Sequence, residues 1–469
     1  MKILLSEPLC PREAIWGKFE KGAGSNTFSY GLASIASYCI KNGFKDIKFI
    51  EPQIEKLTKE DYGEFLKQNG FDVIGLTSCT ATMDFVISTI KLIKQTLPNS
   101  KVILGGVHAT LLPEETLKEC EDLDIICMGE GEITFLKILE NIKNLSKVKG
   151  IAYRKDKEII INEPRELIRD INILPLPAYN LFPMDEYKTQ VTIAKVFPTK
   201  TMLVSRGCVY NCGFCNACAV HGRKVRYKDP KRVVEEMLYL KNNFNTKGIA
   251  FFDSTFTVNK QWVNDFCDLI VKKGLGLPWS CYSRTDTVDE ELLQKMKASG
   301  CWGITFGIES GNQKTLDSIE KGVTVEQNTK AVNLALKLGY FVSANYIICW
   351  PRENKKDALN TIKYAKKLAT HLALFYLPIP FPKTKLYKLC EEDGGLNKEA
   401  RWSDFNGYNF DNPVYVNPRV GKKEMQKLYN YAYKTYYITP KVLWRNLKEL
   451  KSKDAFKKYF YATRCFLKI

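Results

Sequence analysis

The chain has 469 residues, enough for about three units of roughly 150 residues. Apolar residues make up 45% and charged residues 26%, ordinary values for a folded globular protein that exclude disorder, collagen-like repeats and a coiled coil. No window approaches the roughly 18 consecutive apolar residues of a membrane span. Glu7 and Pro8 interrupt the first residues before an apolar signal core develops, so a cytoplasmic location is expected.

Residues 1–150 alternate short apolar runs with helical patterns. Strands are predicted at Lys2–Leu5, Ile47–Ile50, Val73–Thr77, Val102–Leu104 and Ile125–Met128. Leu32, Ile35, Ala36 and Ile40 recur at helical spacing, with Gly43 placed to end that helix. Further helices are predicted over 59–68 and 84–97. Such alternation implies an α/β fold with a doubly wound parallel sheet, whose ligand lies at the carboxyl ends of the strands. That directs attention to Thr77-Ser78-Cys79, Gly105-Gly106-Val107-His108 and Gly129-Glu130-Gly131-Glu132.

Residues 151–198 contain Pro164, Pro175, Pro177 and Pro183 with little periodicity and read as an irregular connector. A second alternation fills 199–385, with strands at Thr201–Ser205, Gly248–Asp253, Ser280–Thr285, Gly303–Ile308, Phe341–Cys349 and Leu372–Pro378. Six strand–helix repeats fit an open, partial (β/α)6 barrel that works at its strand carboxyl ends. Residues 386–469 read as mostly helical, rich in Tyr and Lys.

Of fifteen cysteines, most stand singly among apolar residues, as Cys39, Cys267, Cys301 and Cys349 do, and read as buried thiols. One group differs: Ser205-Arg206-Gly207-Cys208-Val209-Tyr210-Asn211-Cys212-Gly213-Phe214-Cys215, just after the first barrel strand. Three thiolates on one loop suit three irons of a 4Fe-4S cube. Structural zinc wants a fourth ligand, and Cys218 is the candidate.

This C-x3-C-x2-C loop, with an aromatic residue before its last cysteine, resembles the radical S-adenosylmethionine enzymes. The resemblance implies that Cys208, Cys212 and Cys215 hold the cluster and that the remaining iron chelates S-adenosylmethionine, which an electron from an external reductant of flavodoxin or ferredoxin type cleaves to a 5'-deoxyadenosyl radical. Phe214 then lies near the adenine. Asp253 and Ser254 end the second barrel strand, where the family contacts the methionine amino group. Arg284 ends the third and suits the methionine carboxylate. Glu309 and Ser310 end the fourth, facing ribose or methionine. One stretch departs from the pattern. Where the nearest members carry a Gly-Leu-Pro-Gly-Glu-like run, this chain has Cys349-Trp350-Pro351-Arg352-Glu353.

A flavodoxin-like domain ahead of such a barrel resembles the cobalamin-dependent subgroup, a match covering nearly the whole chain. It implies cobalamin contacts from Thr77, Ser78, Cys79, Gly105, Gly106, His108, Glu130 and Gly131. Only His108, His221 and His371 exist, none in the D-x-H-x-x-G context of a cobalt-ligating histidine, so base-displaced cobalamin is expected. The activity implied is methyl transfer to an unactivated carbon, with cyclisation or ring contraction as alternatives within the subgroup. A radical enzyme without cobalamin is a further alternative. A zinc-stabilised nucleic-acid-binding protein rests on charge alone, so nucleic acid is not the expected partner.

Charge informs the substrate. The net charge is +18, yet residues 1–150 hold 18 basic against 20 acidic side chains, while the thirty residues from Pro440 hold nine against two. The asymmetry fits an acidic peptide or protein substrate or a lipid surface, and equally a lysine-painted helical face in water.

Overall fold

The computed structural model describes residues 1–11, 14, 28–190, 192–407 and 409–449. Seven strands form the first sheet: β1 (Ile3–Ser6), β2 (Ile47–Ile50), β3 (Val73–Ser78), β4 (Lys101–Gly106), β5 (Ile125–Cys127), β6 (Ile151–Lys155) and β7 (Glu158–Ile161). Their order is β2-β1-β3-β4-β5-β6-β7. The first five are parallel and β6 and β7 are antiparallel additions. The 2-1-3-4-5 order is that of flavodoxin-like sheets. All five predicted strands are present. The opening of the expected connector supplies the two added ones.

Alternation along β1 explains the layering. Ile3 and Leu5 enter one core with Val73 and Ile103, while Leu4 enters another with Ile74, Leu76 and Val102. The first of these cores runs on into the barrel. Connector residues Tyr179, Phe182, Met184 and Tyr187 are buried in it, Phe182 stacking on Phe49 at 3.8 Å. Helix α1 (Tyr30–Lys41) lies over this face. Of the predicted positions Leu32 and Ala36 are buried and Ile35 and Ile40 half-buried, with Ala33 and Cys39 completing the buried face.

The barrel is an open six-stranded sheet of β8 (Thr199–Met202), β11 (Gly248–Phe251), β12 (Trp279–Ser283), β13 (Cys301–Glu309), β14 (Phe341–Ile347) and β15 (Leu372–Tyr376), parallel throughout. The predicted first strand runs too far. Ser205 and Arg206 leave it as β9 and pair antiparallel with β10 (Arg226–Tyr227).

The tyrosine-rich carboxyl region has a definite task. Helix α2 (Lys422–Tyr437) covers the edge strand β15. The Tyr433 hydroxyl accepts from Phe375 N (3.1 Å), and Tyr437 accepts from Ala373 N (3.2 Å) and donates to Ala373 O (3.0 Å). Tyr436 donates to Thr370 O (2.7 Å). Phenol groups thus occupy the unpaired ladder that an edge strand would leave open. The final described helix, α3 (Pro440–Glu449), docks through Val442 and through Asn446 on His371 O (3.1 Å). His371 precedes β15, so this start of the basic segment lies at the barrel end opposite the cysteine loop; residues 450–469 lie outside the described ones.

Candidate active site

The β9–β10 ladder closes the stem of a loop carrying all three motif cysteines. Gly207, at φ +96, takes a left-handed turn where a Cβ would sit 2.4 Å from Lys224 O, so only glycine fits. Cys208 and Cys212 are half-buried and Cys215 is exposed. Burial pushes the Cys212 thiol up. Charge on Cys208 and Cys212 also acts on Cys215, so the three lie within electrostatic reach of one another. The Cys218 thiol instead donates to Cys208 O (3.0 Å) and Tyr210 O (3.6 Å). Among the described residues no three Cys, His, Asp or Glu side chains converge on one ion. Three soft thiolates spread over a loop, with the fourth cysteine turned to backbone, fit a 4Fe-4S cube and not a four-ligand zinc.

Charged pairs surround this loop. Arg284, buried at the end of β12, forks onto Asp286 (2.9 and 2.8 Å) and donates to Lys321 O (2.6 Å). Its guanidinium lies over the Tyr210 ring, 3.5 Å from the centroid, and Nη1 reaches Cys212 Sγ at 3.7 Å. The residue expected at a methionine carboxylate thus sets its charge beside the motif cysteine Cys212. Glu309, at φ +64 where the β13–β14 register slips, accepts from Lys321 Nζ at 2.8 Å, both side chains being buried. Gly307 permits the pair, since a Cβ there would stand 2.4 Å from Glu309 Oε1. Lys321 carries no motif signal.

Other expected contacts have internal partners. Asp253, buried at the end of β11, accepts from Val204 N (3.0 Å), Ser205 N (2.6 Å) and Ser205 Oγ (2.5 Å). Burial outweighs these bonds and pushes its carboxyl up to about 6. It ties the loop stem to the second strand. Ser254 beside it is exposed. Ser310 is fully buried and bonded to Thr361 (3.0 Å). Phe214 meets the Trp350 ring edge-on at 6.4 Å. Trp350 belongs to the departing turn, where Cys349 (φ 63) and Arg352 (φ 70) stand left-handed at the two positions of the family's glycines. Asn417 holds it, donating to Trp350 O (2.8 Å) and Glu353 O (3.0 Å). The Glu353 carboxylate accepts from Thr315 Oγ1 (2.5 Å) and Trp350 N (2.9 Å), and burial pushes it up to about 7.

In the first domain, a cavity of about 320 Å³ opens at the strand carboxyl ends, within the usual size of ligand pockets. Thr77, Gly105, Gly106, Glu130 and Gly131 line it. Gly129 lines it too, with nothing within 4 Å of a Cβ, and Gly105 meets only backbone oxygens beyond 3.6 Å. A larger side chain at either would fill the space. Gly106 (φ +97) lets the chain turn back on Ser78, whose oxygen a Cβ would approach to 2.2 Å; Ser78 Oγ donates to Gly105 O (2.8 Å). Cys79 is exposed beside them. His108 is buried against Thr80 (3.3 Å) and edge-on to Trp402 (4.7 Å), with Nε2 buried and unpartnered. Burial lowers it to about 4, so it is neutral. Ser78, Cys79 and His108 are not among the residues that line the cavity; a glycine-cleared cavity of this size at the strand ends suits one part of a large ligand such as cobalamin, its flank or its nucleotide tail.

Glu130 lines the cavity and is also paired outside it. Its carboxylate is buried on Arg226 (2.9 and 2.8 Å), Ile168 N (2.8 Å) and His221 (3.2 Å). Burial raises its pKa, but these partners outweigh that and hold it well below the usual range. Glu132 binds Arg206 Nη1 (3.1 Å) and Nη2 and accepts from Ser34 Oγ (2.6 Å). Sequence reasoning missed both arginines, whose partners lie in the other domain.

Comparison with known proteins matches both domains. Residues 202–365 match the Radical SAM superfamily and residues 22–139 the B12 binding domain. An uncharacterised methyltransferase of Pyrococcus horikoshii is 33% identical over 452 residues, 96% of this chain and 95% of that one. The chain belongs to the cobalamin-dependent radical S-adenosylmethionine methyltransferase family. The anaerobic magnesium-protoporphyrin IX monomethyl ester cyclase of Cereibacter sphaeroides is 26% identical over 436 residues, 90% of this chain and 69% of that one. The radical S-adenosylmethionine methyltransferase TsrM from Kitasatospora setae, solved with cobalamin and a [4Fe-4S] cluster, shares the fold with a TM-score of 0.71 at 15% identity, covering 93% and 89% of the two chains. No described helix is long and apolar enough to cross a membrane.

Proposed function

We propose that this enzyme methylates an unactivated carbon of a substrate bound between the two domains. When bound, the cluster and cobalamin supply the electron that cleaves S-adenosylmethionine and the methyl group that is transferred. The protein's task is placement. Cys208, Cys212 and Cys215 would hold the cluster, and Arg284 would set a positive charge against the Cys212 sulfur, a lever on cluster potential. Lys321 and Glu309 form a paired polar edge near the same cysteine, and Phe214 braced on Trp350 offers a flat apolar face to an adenine. Gly105, Gly106 and Gly129 would admit cobalamin, with His108 neutral at its edge. No proton-transfer relay is needed, in keeping with three histidines in the whole chain.

The observation that carries the reading is the shared wall: Arg206 and His221, on either side of the cysteines in sequence, line the first-domain cavity. The cyclase relative favours a second reading, a radical reaction without methyl transfer. For the substrate, an acidic peptide or protein remains the proposal, drawn from the net charge. Loss of salt dependence on deleting residues 440–469 is the result expected of it. The deciding experiment is anaerobic reconstitution with iron, sulfide and hydroxocobalamin, followed by incubation with S-adenosylmethionine and a reductant. About four irons and one cobalt per chain, with 5'-deoxyadenosine and S-adenosylhomocysteine both formed, are expected. Iron without cobalt would move the reading to a cobalamin-free enzyme, and zinc in place of iron would end it.

A further inference from the structure

Arg206 and Arg226 face each other across the β9–β10 ladder, a placement that like charges disfavour. Two carboxylates from the other domain neutralise them. Glu130 forks onto Arg226 and reaches Arg206 at 3.4 Å, and Glu132 grips Arg206 through both nitrogens. Both carboxylates are nine-tenths or more buried. They sit at the start of helix α4 (Gly131–Glu140), on the wall of the first-domain cavity. The ladder they hold joins the two ends of the cysteine loop, together with the backbone bonds from Cys208 N to Gly222 O (3.2 Å) and from Lys228 N to Val204 O (2.8 Å). One set of charges therefore belongs to the cavity wall and to the loop stem alike.

We infer that Glu130 and Glu132 are positioning residues that couple the two cofactor sites, so that filling the cavity and assembling the cluster favour each other. The inference rests on the cobalamin reading above. A ligand in the cavity takes the remaining exposed face of Arg206 out of water and fixes Arg206 and His221, and with them both ends of the loop. A cluster on the loop fixes the same residues from the other side. Ordering paid for by one event is not paid again by the other, and coupling of this kind is reciprocal.

The test uses the full chain and hydroxocobalamin as probe. Its dissociation constant is measured anaerobically on cluster-free and on iron–sulfur-reconstituted protein, and iron loss to a chelator is timed with and without it. The reconstituted protein is expected to bind about 5- to 150-fold more tightly, the usual range of coupling, and hydroxocobalamin to slow iron loss. Glu130→Gln is expected to bring both ratios towards one while circular dichroism shows a folded protein. Should that variant fail to fold, Ser34→Ala, which removes one hydroxyl from Glu132, is expected to shrink both ratios more modestly. Equal affinities with and without the cluster would overturn the coupling while leaving the cobalamin site standing. Absence of binding in both forms would overturn the site and the coupling together.

Discussion

The carboxyl ends of the two sheets are furnished by opposite means. Around the first-domain cavity the chain leaves side chains out: Gly105 and Gly129 clear the space, and Gly106 folds the backbone onto Ser78. Around the cysteine loop it puts charge in and pairs it, Arg284 with Asp286 and Glu309 with Lys321. Buried ions demand partners because desolvation otherwise costs several kcal/mol. Glycines ask only that nothing bulky replace them. The cavity should therefore be sensitive to volume, and the loop's surroundings to the loss of either member of a pair.

The sharpest way to break this contrast is to exchange the injuries. Cys212→Ala is expected to abolish iron uptake and 5'-deoxyadenosine formation. Gly105→Leu is expected to weaken hydroxocobalamin binding at least 100-fold, about 3 kcal/mol, while iron is still taken up in the absence of cobalamin. Iron and cobalamin counts on both variants check this. Equal loss of iron in Gly105→Leu would mean that the cavity is not an independent volume.

Lys321→Ala leaves Glu309 buried without its cation and is expected to cost about 3–5 kcal/mol in urea unfolding. Replacing both members with apolar residues of similar size should recover most of that.

His108 gives a pH signature. Burial pushes its pKa down to about 4, below the ordinary histidine value of about 6.5, so the unfolded chain takes up a proton first. Stability is whole above pH 6.5 and falls as pH drops towards 4, by about 3 kcal/mol at most. Asp253 and Glu353, raised to about 6 and about 7, act in the opposite sense, keeping their contribution below about pH 4 and losing it as pH climbs through those values. The slope to measure is therefore wild type minus His108→Phe. An unchanged slope would place His108 in water.

The smallest effect concerns the departing turn. Arg352 is exposed and left-handed at φ 70, a conformation that costs a non-glycine residue about 1–2 kcal/mol. Its ion pair with Glu392 joins two exposed groups and is worth little. Arg352→Gly is expected to raise stability by about 0.5–1 kcal/mol, after the entropy glycine costs. A loss instead would show that the guanidinium matters to the turn.

The features legible in the sequence are local ones. Strand–helix alternation located the parallel strands of both sheets but not the antiparallel β6 and β7, because side-chain periodicity is a property of one segment. The cysteine loop was legible for the same reason: three thiols within eight residues can meet without help from the rest of the chain. Tertiary structure alone decided the partners. Lys321 for Glu309, Glu130 for Arg226, Asn417 for the turn at 349–353 and tyrosines 433, 436 and 437 for the edge of β15 join residues that no spacing rule relates. Arg284, Asp253 and Glu130 stand out in the sequence by their places at strand or loop ends, yet packing turns their charges onto protein groups. A buried charge must find its counterpart wherever the fold brings one, and that choice is made in space, after the segments have formed.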